Sequence, residues 1–303
     1  MTGGAGFIGS HLSHALVQQG HVVRIVDDLS TGRSDNLPVE AEFLHGDITD
    51  PEVAAKAVQG CEVVLHQAAI PSVPRSVAMP VPSHNANING TFNILIAARD
   101  AGVRRVVYAA SSSAYGDTLV LPKVEDMPAN PRSPYALQKQ VGETYCQLFT
   151  RLYQMETVSI RYFNVFGPRQ HPSSPYSGVL SLFIKAALAG LAPTIHGDGE
   201  QTRDFTYIEN VVDGVLRATD SPHASGEVIN VAAGGRISLN QTWAELGTII
   251  GPLPDPVYGP ERAGDVRDSQ ADIAKAERLL GYRPLTAFQD GLRRTVAWAR
   301  GTA

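Results

Sequence analysis

Thr2-Gly-Gly-Ala-Gly-Phe-Ile-Gly-Ser10 places glycines at positions 3, 6 and 9, directly ahead of an amphipathic stretch. The spacing suits a tight turn feeding a helix. One glycine makes the turn, one lets a pyrophosphate approach the backbone, and one packs helix against strand. The helix start then aims free N–H groups at phosphate. Gly3, Gly6 and Gly9, with Phe7 and Ile8, are therefore candidate dinucleotide contacts. Asp27 and Asp28 end the next apolar run, where an acidic residue is expected on the adenine ribose. A carboxylate there repels a 2′-phosphate, so NAD is favoured over NADP. Ser30 and Gly32 belong to the same loop. Asp47 and Ile48 follow the next strand and fit the adenine, although Asp47 also reads as a helix cap ahead of Pro51.

Outward from this loop, helical and strand periods alternate. Helices are expected over residues 7–19, 51–59, 89–101 and 135–153, and strands over 21–26, 41–44, 63–65, 106–109 and 158–162. That alternation predicts an α/β fold, a Rossmann-type doubly wound parallel sheet. Beyond residue 166 proline and glycine become frequent. The expected organisation is a dinucleotide domain over 1–166, with 203–232 packing back onto it, and a smaller mixed α/β substrate lobe over 167–303. A ligand would lie between the two. The glycine turn ordinarily follows a buried strand of roughly five residues. Only Met1 and Thr2 precede Gly3, so the first strand is expected to be largely missing, leaving unpaired edges on its neighbours.

Composition narrows the classes. The net charge is −5 and no Lys/Arg block occurs, so nothing suggests nucleic acid. Hydrophobic residues at 43% and charged residues at 18% are ordinary for a soluble protein with a core. Cys61 and Cys146 have no partners at metal-ligand spacing and read as buried free thiols, so no metal is expected. No signal peptide or membrane-spanning run is visible, and a cytoplasmic protein is expected.

Ser111-Ser112-Ser113 ends a strand, and Tyr135 and Lys139 stand four apart on one helix face. A tyrosine is a poor base at neutral pH. A nearby ammonium and the positive nicotinamide would favour its phenolate. A serine hydroxyl can share the proton at the reacting oxygen. Spacing alone leaves Ser111 and Ser112 both open, with Ser112 preferred.

The chain resembles the extended short-chain dehydrogenase/reductases and, within them, the UDP-sugar 4-epimerases. The resemblance rests on Gly-Gly-Ala-Gly-Phe-Ile-Gly-Ser (3–10), Ser-Ser-Ser-Ala-Tyr-Gly (111–116) and Ser-Pro-Tyr-Ala-Leu-Gln-Lys (133–139). Arg-Tyr-Phe-Asn-Val-Phe-Gly-Pro-Arg (161–169), Arg-Asp-Phe (203–205) and Arg-Ala-Gly-Asp-Val (262–266) extend it over nearly the whole chain. It implies that Gln67, Ala68, Ala69, Asn87 and Tyr162 contact NAD. It also implies that Asn164, Gln170, Val179, Arg203, Arg262, Asp265 and Ser269 surround the nucleotide-sugar, the arginines gripping diphosphate. In the implied reaction Tyr135 takes the proton from the sugar 4-hydroxyl while hydride passes to NAD. The 4-keto sugar turns, and hydride returns to its other face. A small residue at 269 would leave room for a 2-acetamido group.

Dehydratases and UDP-glucuronate decarboxylases share this scaffold but carry an acidic residue at the strand end, where this chain has Ser111-Ser-Ser-Ala114. A UDP-glucuronate 4-epimerase needs only the same triad. A non-catalytic NAD-binding sensor is the reading of another class, and the intact Ser112, Tyr135 and Lys139 argue against it. His171 reads as a plain loop histidine. The helices beginning near Asn87 and Tyr135 are more apolar than one sheet contact needs, and the resemblance implies a homodimer through them.

Overall fold

A computed structural model describes residues 1–170, 178–261 and 266–301. The first half builds α1 (Phe7–Gln18), β1 (Arg24–Asp27), β2 (Glu42–His45), α2 (Pro51–Val58), β3 (Val63–His66), α3 (Val73–Ala78), α4 (Pro80–His84), α5 (Gly90–Asp100) and β4 (Arg105–Ser111). Then follow α6 (Pro134–Tyr153), β5 (Glu156–Tyr162), β6 (Val165–Phe166), α7 (Val179–Leu188), β7 (Thr194–His196), β8 (Thr202–Arg203), β9 (Thr206–Tyr207), α8 (Ile208–Asp220) and β10 (Val228–Val231). The chain closes with β11 (Ile237–Ser238), α9 (Leu239–Ile250), β12 (Val257–Gly259), α10 (Ala274–Leu280) and α11 (Phe288–Ala299).

The main sheet is parallel, with β1 on β2 and, separately, β3–β4–β5–β10 in that order. Met1 and Thr2 join the two parts. Val26 donates to Met1 O at 2.9 Å and Gly3 to Val26 O at 2.8 Å, while Thr2 donates to Leu65 O at 3.0 Å and Gln67 to Thr2 O at 3.2 Å. The expected gap is thus bridged at the carboxyl end of the sheet, where the ligand cleft opens. Two residues suffice there because each strand residue presents its N–H and C=O toward one neighbour, and successive residues alternate.

Strand β4 shows why both faces are covered. Val107 and Ala109 join the core shared with Leu12, Val211 and Val215, whereas Val106, Tyr108 and Ala110 join that of Ala54, Ile94 and Phe149. Helices α1 and α8 therefore lie on one face and α2, α5 and α6 on the other. Helix α6 starts where the sequence says it should: Ser133 Oγ accepts from Ala136 N at 3.1 Å, and Pro134 takes the first helical position.

Residues 203–232 return to this layer as α8 and β10. The boundary expected at 166/167 crosses a continuous core. Leu180, Phe183, Trp243 and Leu246 of the second lobe pack in one cluster with Val158 and Ile160 of the sheet. Cys146 is buried, but Cys61 is only half-buried, with its thiol 3.6 Å from Ala57 O.

Candidate active site

The cleft above the carboxyl ends of the strands has a volume of about 950 Å³. Its floor is the glycine loop. Gly3 has φ +67°, and a Cβ on it would stand 2.6 Å from Ala68 N. A Cβ on Gly9 would stand 2.1 Å from Gly3 O, so two of the three glycines are demanded by the turn itself. Gly6 caps α1 without a side-chain bond, and the first-turn amides of Phe7 and Ile8 have no acceptor within the helix. Both residues line the cleft.

Asp27 closes the loop from the other side. Its carboxylate accepts from Ala5 N and Leu29 N, each at 2.9 Å, and burial pushes its pKa up. Asp28 is exposed and accepts from Ser30 N (2.9 Å) and Ser30 Oγ (2.7 Å). Gly32 leaves room for this packing, since a Cβ there would stand 2.7 Å from Ala5 Cβ. Asp47 and Ile48 also line the cleft; the cap of α2 is Asp50, which accepts from Glu52 N at 2.8 Å.

Gln67, Ala68 and Ala69 follow β3 into the cleft. Gln67 Oε1 accepts from the Tyr162 hydroxyl at 3.0 Å, while its buried Nε2 has no partner. A buried amide donor left open on the cleft wall suits the carbonyl-bearing end of a nicotinamide, so these residues fit a dinucleotide. Asn87 does not reach the cleft. Its side chain accepts from Ile70 N (2.8 Å) and donates to Ile70 O (3.1 Å) and Gln138 Oε1 (2.8 Å), so it pins the loop that follows β3 instead.

Tyr135 lies in the first turn of α6, its amide donating to Ser76 Oγ at 3.1 Å. Of the three serines, Ser111 is the one whose side chain draws the phenol's pKa down against the effect of burial. Ser111 Oγ accepts from Ser113 Oγ at 2.8 Å and Ser113 N at 3.2 Å, which leaves its own hydrogen for the tyrosine. Ser111 is therefore preferred over Ser112 as the serine beside the tyrosine: β4 ends at Ser111 and the chain turns into a short 3₁₀ segment at Ser112, although Ser112 also lines the cleft. Ser113, supporting Ser111, was not anticipated.

Burial pushes the Tyr135 phenol up to about 12, with Ser111 opposing. Lys139 is buried, and burial lowers its ammonium to about 8, partly offset by Glu143. Its Nζ donates to Ala109 O at 2.7 Å and sits 5.0 Å from the Tyr108 ring centroid. The protein's own groups thus hold Tyr135 as a phenol at neutral pH, and the charge that would ionise it must come with the ligand.

At the far end, Asn164 donates to Asp204 O at 3.2 Å and reaches Ser269 Oγ at 3.4 Å. Ser269 is buried yet lines the cleft. Arg203 Nη1 donates to Thr202 O (2.8 Å) and Arg267 O (3.0 Å) at the cleft edge. Gln170 donates to Val165 O at 2.9 Å. Val179 begins α7, one residue past Gly178, which lines the cleft. Arg262, Asp265 and His171 lie outside the described residues. Lys123 and Arg169 line the cleft without having been expected there. Arg169 closes the quoted stretch 161–169 but was given no role there, and Lys123 stands at no quoted motif.

The model of the NAD dependent epimerase/dehydratase family matches residues 1–232. A putative UDP-glucose 4-epimerase from Methanocaldococcus jannaschii is 40% identical over 302 residues, covering 99% of this chain and 97% of its own. The structure of a UDP-glucose 4-epimerase from Thermotoga maritima with UDP-glucose aligns at TM-score 0.96 and 37% identity, over 99% of this chain and 98% of that one. A UDP-N-acetylglucosamine 4-epimerase from Methanobrevibacter ruminantium, in complex with UDP-N-acetylmuramic acid, aligns at TM-score 0.94 and 36% identity, over 100% and 97%. UDP-sugar-acid decarboxylases also stand among the similar proteins.

Proposed function

Because the chain belongs to the NAD-dependent epimerase/dehydratase family and is an NAD-using UDP-sugar 4-epimerase, we propose that its preferred substrates are the 2-acetamido pair UDP-GlcNAc and UDP-GalNAc, with UDP-Glc and UDP-Gal also accepted. The observation that carries this is Ser269, a small side chain lining the cleft beside Asn164. A phenol at that position would occupy the space an acetamido group needs.

NAD, when bound, takes up a hydride from the sugar and returns it. The chain's own residues do the rest. Tyr135 removes the 4-hydroxyl proton and gives it back, Ser111 donates to the same oxygen, and Lys139 adds positive charge beneath. Arg203 supplies charge for the diphosphate at the cleft edge. Among the described cleft residues the carboxylates Asp27, Asp28 and Asp47 all come from the β1 and β2 loops, and none neighbours Ser111. A strand end of serines lacks the acid that water loss from the sugar requires, which disfavours dehydration.

The test is to incubate the protein with UDP-GlcNAc and UDP-Glc, without added NAD, and separate the epimers. Ser269→Tyr should lower acetamido-sugar turnover at least tenfold and spare glucose. Equal rates on the acetamido pair before and after the change would refute the substrate reading. The same reading includes a homodimer, supported by exposed Phe92 on α5 and Leu137, Leu152 and Tyr153 on α6. Two free thiols favour a reducing, cytoplasmic setting. No described helix is long and apolar enough to cross a membrane.

A further inference from the structure

Glu143 stands one turn beyond Lys139 on the same face of α6, buried, and the reaction above gives it no part. Arg161 of β5 grips it in a bidentate pair, Nε donating to Oε1 at 2.9 Å and Nη2 to Oε2 at 2.8 Å. The guanidinium is fixed in turn. It lies 4.4 Å from the Tyr115 ring centroid, and its Nη1 donates to Glu125 O at 3.4 Å. Both side chains of the pair are buried, at 6% and 5% exposure. Apolar residues of similar volume often replace such a pair with no loss of stability, so stability alone is a weak reason for this one.

The surroundings of Lys139 supply a better reason. Its Nζ donates to Ala109 O, and the titratable groups facing it from the sheet are Tyr108 of β4 and His66 of β3. On α6 itself Tyr135 and Cys146 flank it. Burial raises Tyr108 well above its ordinary value, pushes Tyr135 and Cys146 up to about 12, and lowers His66 to about 3. All four are uncharged near neutral pH. Among the described residues, Glu143 is the carboxylate that acts on the lysine, opposing the burial that lowers its ammonium. Arg161 fixes the place of that carboxylate with two charge-assisted bonds.

We propose that Glu143 is a positioning residue whose carboxylate, clamped by Arg161, keeps Lys139 an ammonium beside Tyr135 during turnover. The proposal rests on the roles given above to Tyr135 and Lys139 and not on the choice of sugar. An ammonium is lost as pH rises through its pKa, so removing the carboxylate moves that loss toward neutral pH. Glu143→Gln alone strands the Arg161 charge in the core, so the fold is kept by the paired variant Glu143→Met with Arg161→Met. In the full-length protein labelled with ¹³C at lysine Cε, the Lys139 signal is the one lost in Lys139→Met. Lys56, Lys123, Lys185 and Lys275 supply the others. The titration midpoint of the Lys139 signal should fall by about one pH unit in the paired variant. The alkaline limb of the kcat profile should move down with it. Glu143→Asp, which keeps the charge, should return part of both. An unchanged midpoint in the folded paired variant would overturn the proposal. So would a kcat lowered by one factor at every pH, which would make the pair a structural part of α6 only. A lowered midpoint in a protein whose parent forms no epimer would count against the reaction and uphold the charge relation.

Discussion

Gly142 on α6 faces Tyr108 on β4 so closely that a Cβ on the glycine would stand 2.2 Å from the phenol oxygen. The contact sets the height of α6 above the sheet, one turn beyond Lys139, whose carbonyl accepts from the same phenol at 3.5 Å. Tyr108 is buried, so it cannot swing aside. Gly142→Ala gains about 1 kcal/mol of helix propensity but overpacks the site by about 1–3 kcal/mol. We expect net destabilisation in urea unfolding together with a lower kcat, because the lifted helix carries Tyr135 and Lys139 with it. Wild-type stability and kcat in this variant would show that the helix is positioned elsewhere.

The serine that lowers the tyrosine's pKa should be the one whose loss is felt. Ser111→Ala should reduce kcat by about 10²-fold or more, within the range for a lost proton-sharing group. Ser112→Ala should cost less than tenfold. NAD should remain bound in both, since neither serine shapes the glycine loop. The opposite ranking in steady-state rates would return the role to Ser112.

His66 makes stability fall in acid. Its Nδ1 meets Thr2 Oγ1 at 2.7 Å and its Nε2 meets Thr91 Oγ1 at 2.9 Å. Thr91 spends its hydrogen on Asn87 O, so it accepts from the ring, which is therefore neutral with the proton on Nε2. Burial first, then the Lys139 charge, lowers the imidazole to about 3. Between that value and the unfolded 6.5 only the unfolded chain binds the proton. Stability is thus lost as pH falls below 6.5, by about 1.4 kcal/mol per pH unit. His66→Gln should shrink the loss measured by urea unfolding between pH 6.5 and 5 by about 2 kcal/mol. His11, lowered to about 4, should keep part of the slope. An identical slope in the variant would mean His66 is not the group responsible.

Asp204 gathers three backbone amides. Oδ1 accepts from Ala233 N, and Oδ2 from Gly234 N and Ala271 N, each at 3.1 Å, in full burial. An amide in its place would turn an N–H toward at least one of these donors. Asp204→Asn should cost about 2–3 kcal/mol. It should also raise KM for the UDP-sugar, because Ala271 anchors the segment bearing Ser269. A variant as stable as the parent, with unchanged KM, would show that Asp204 does not hold the Ser269 segment in place.

Much of the site was legible because its determinants are local. The glycine turn is written in consecutive residues, and the Tyr135–Lys139 pairing follows from one helical period. Asp27, at a strand end, is placed by a run of four residues. Where the outcome depended on a local change of backbone direction or on a contact distant in sequence, the reading failed or stayed open. Asn87 was captured by Ile70 and Gln138. Ser111 was selected over Ser112 by a one-residue change of backbone direction. Arg169 was brought to α1 by a left-handed turn that composition does not announce.

The amino-acid sequence by itself determined the parallel α/β layer, the dinucleotide turn and the catalytic types. Period, glycine spacing and residue chemistry act over a few neighbours. Only the tertiary structure decided which polar groups were left over. Hydrogen bonds between residues tens of positions apart consume some side chains, such as Asn87, and leave others, such as Gln67 Nε2 and Arg169 Nη1, facing the cleft. It also decided how two residues, Met1 and Thr2, hold the halves of the sheet together, because in a parallel ladder each residue answers one neighbour and the next answers the other.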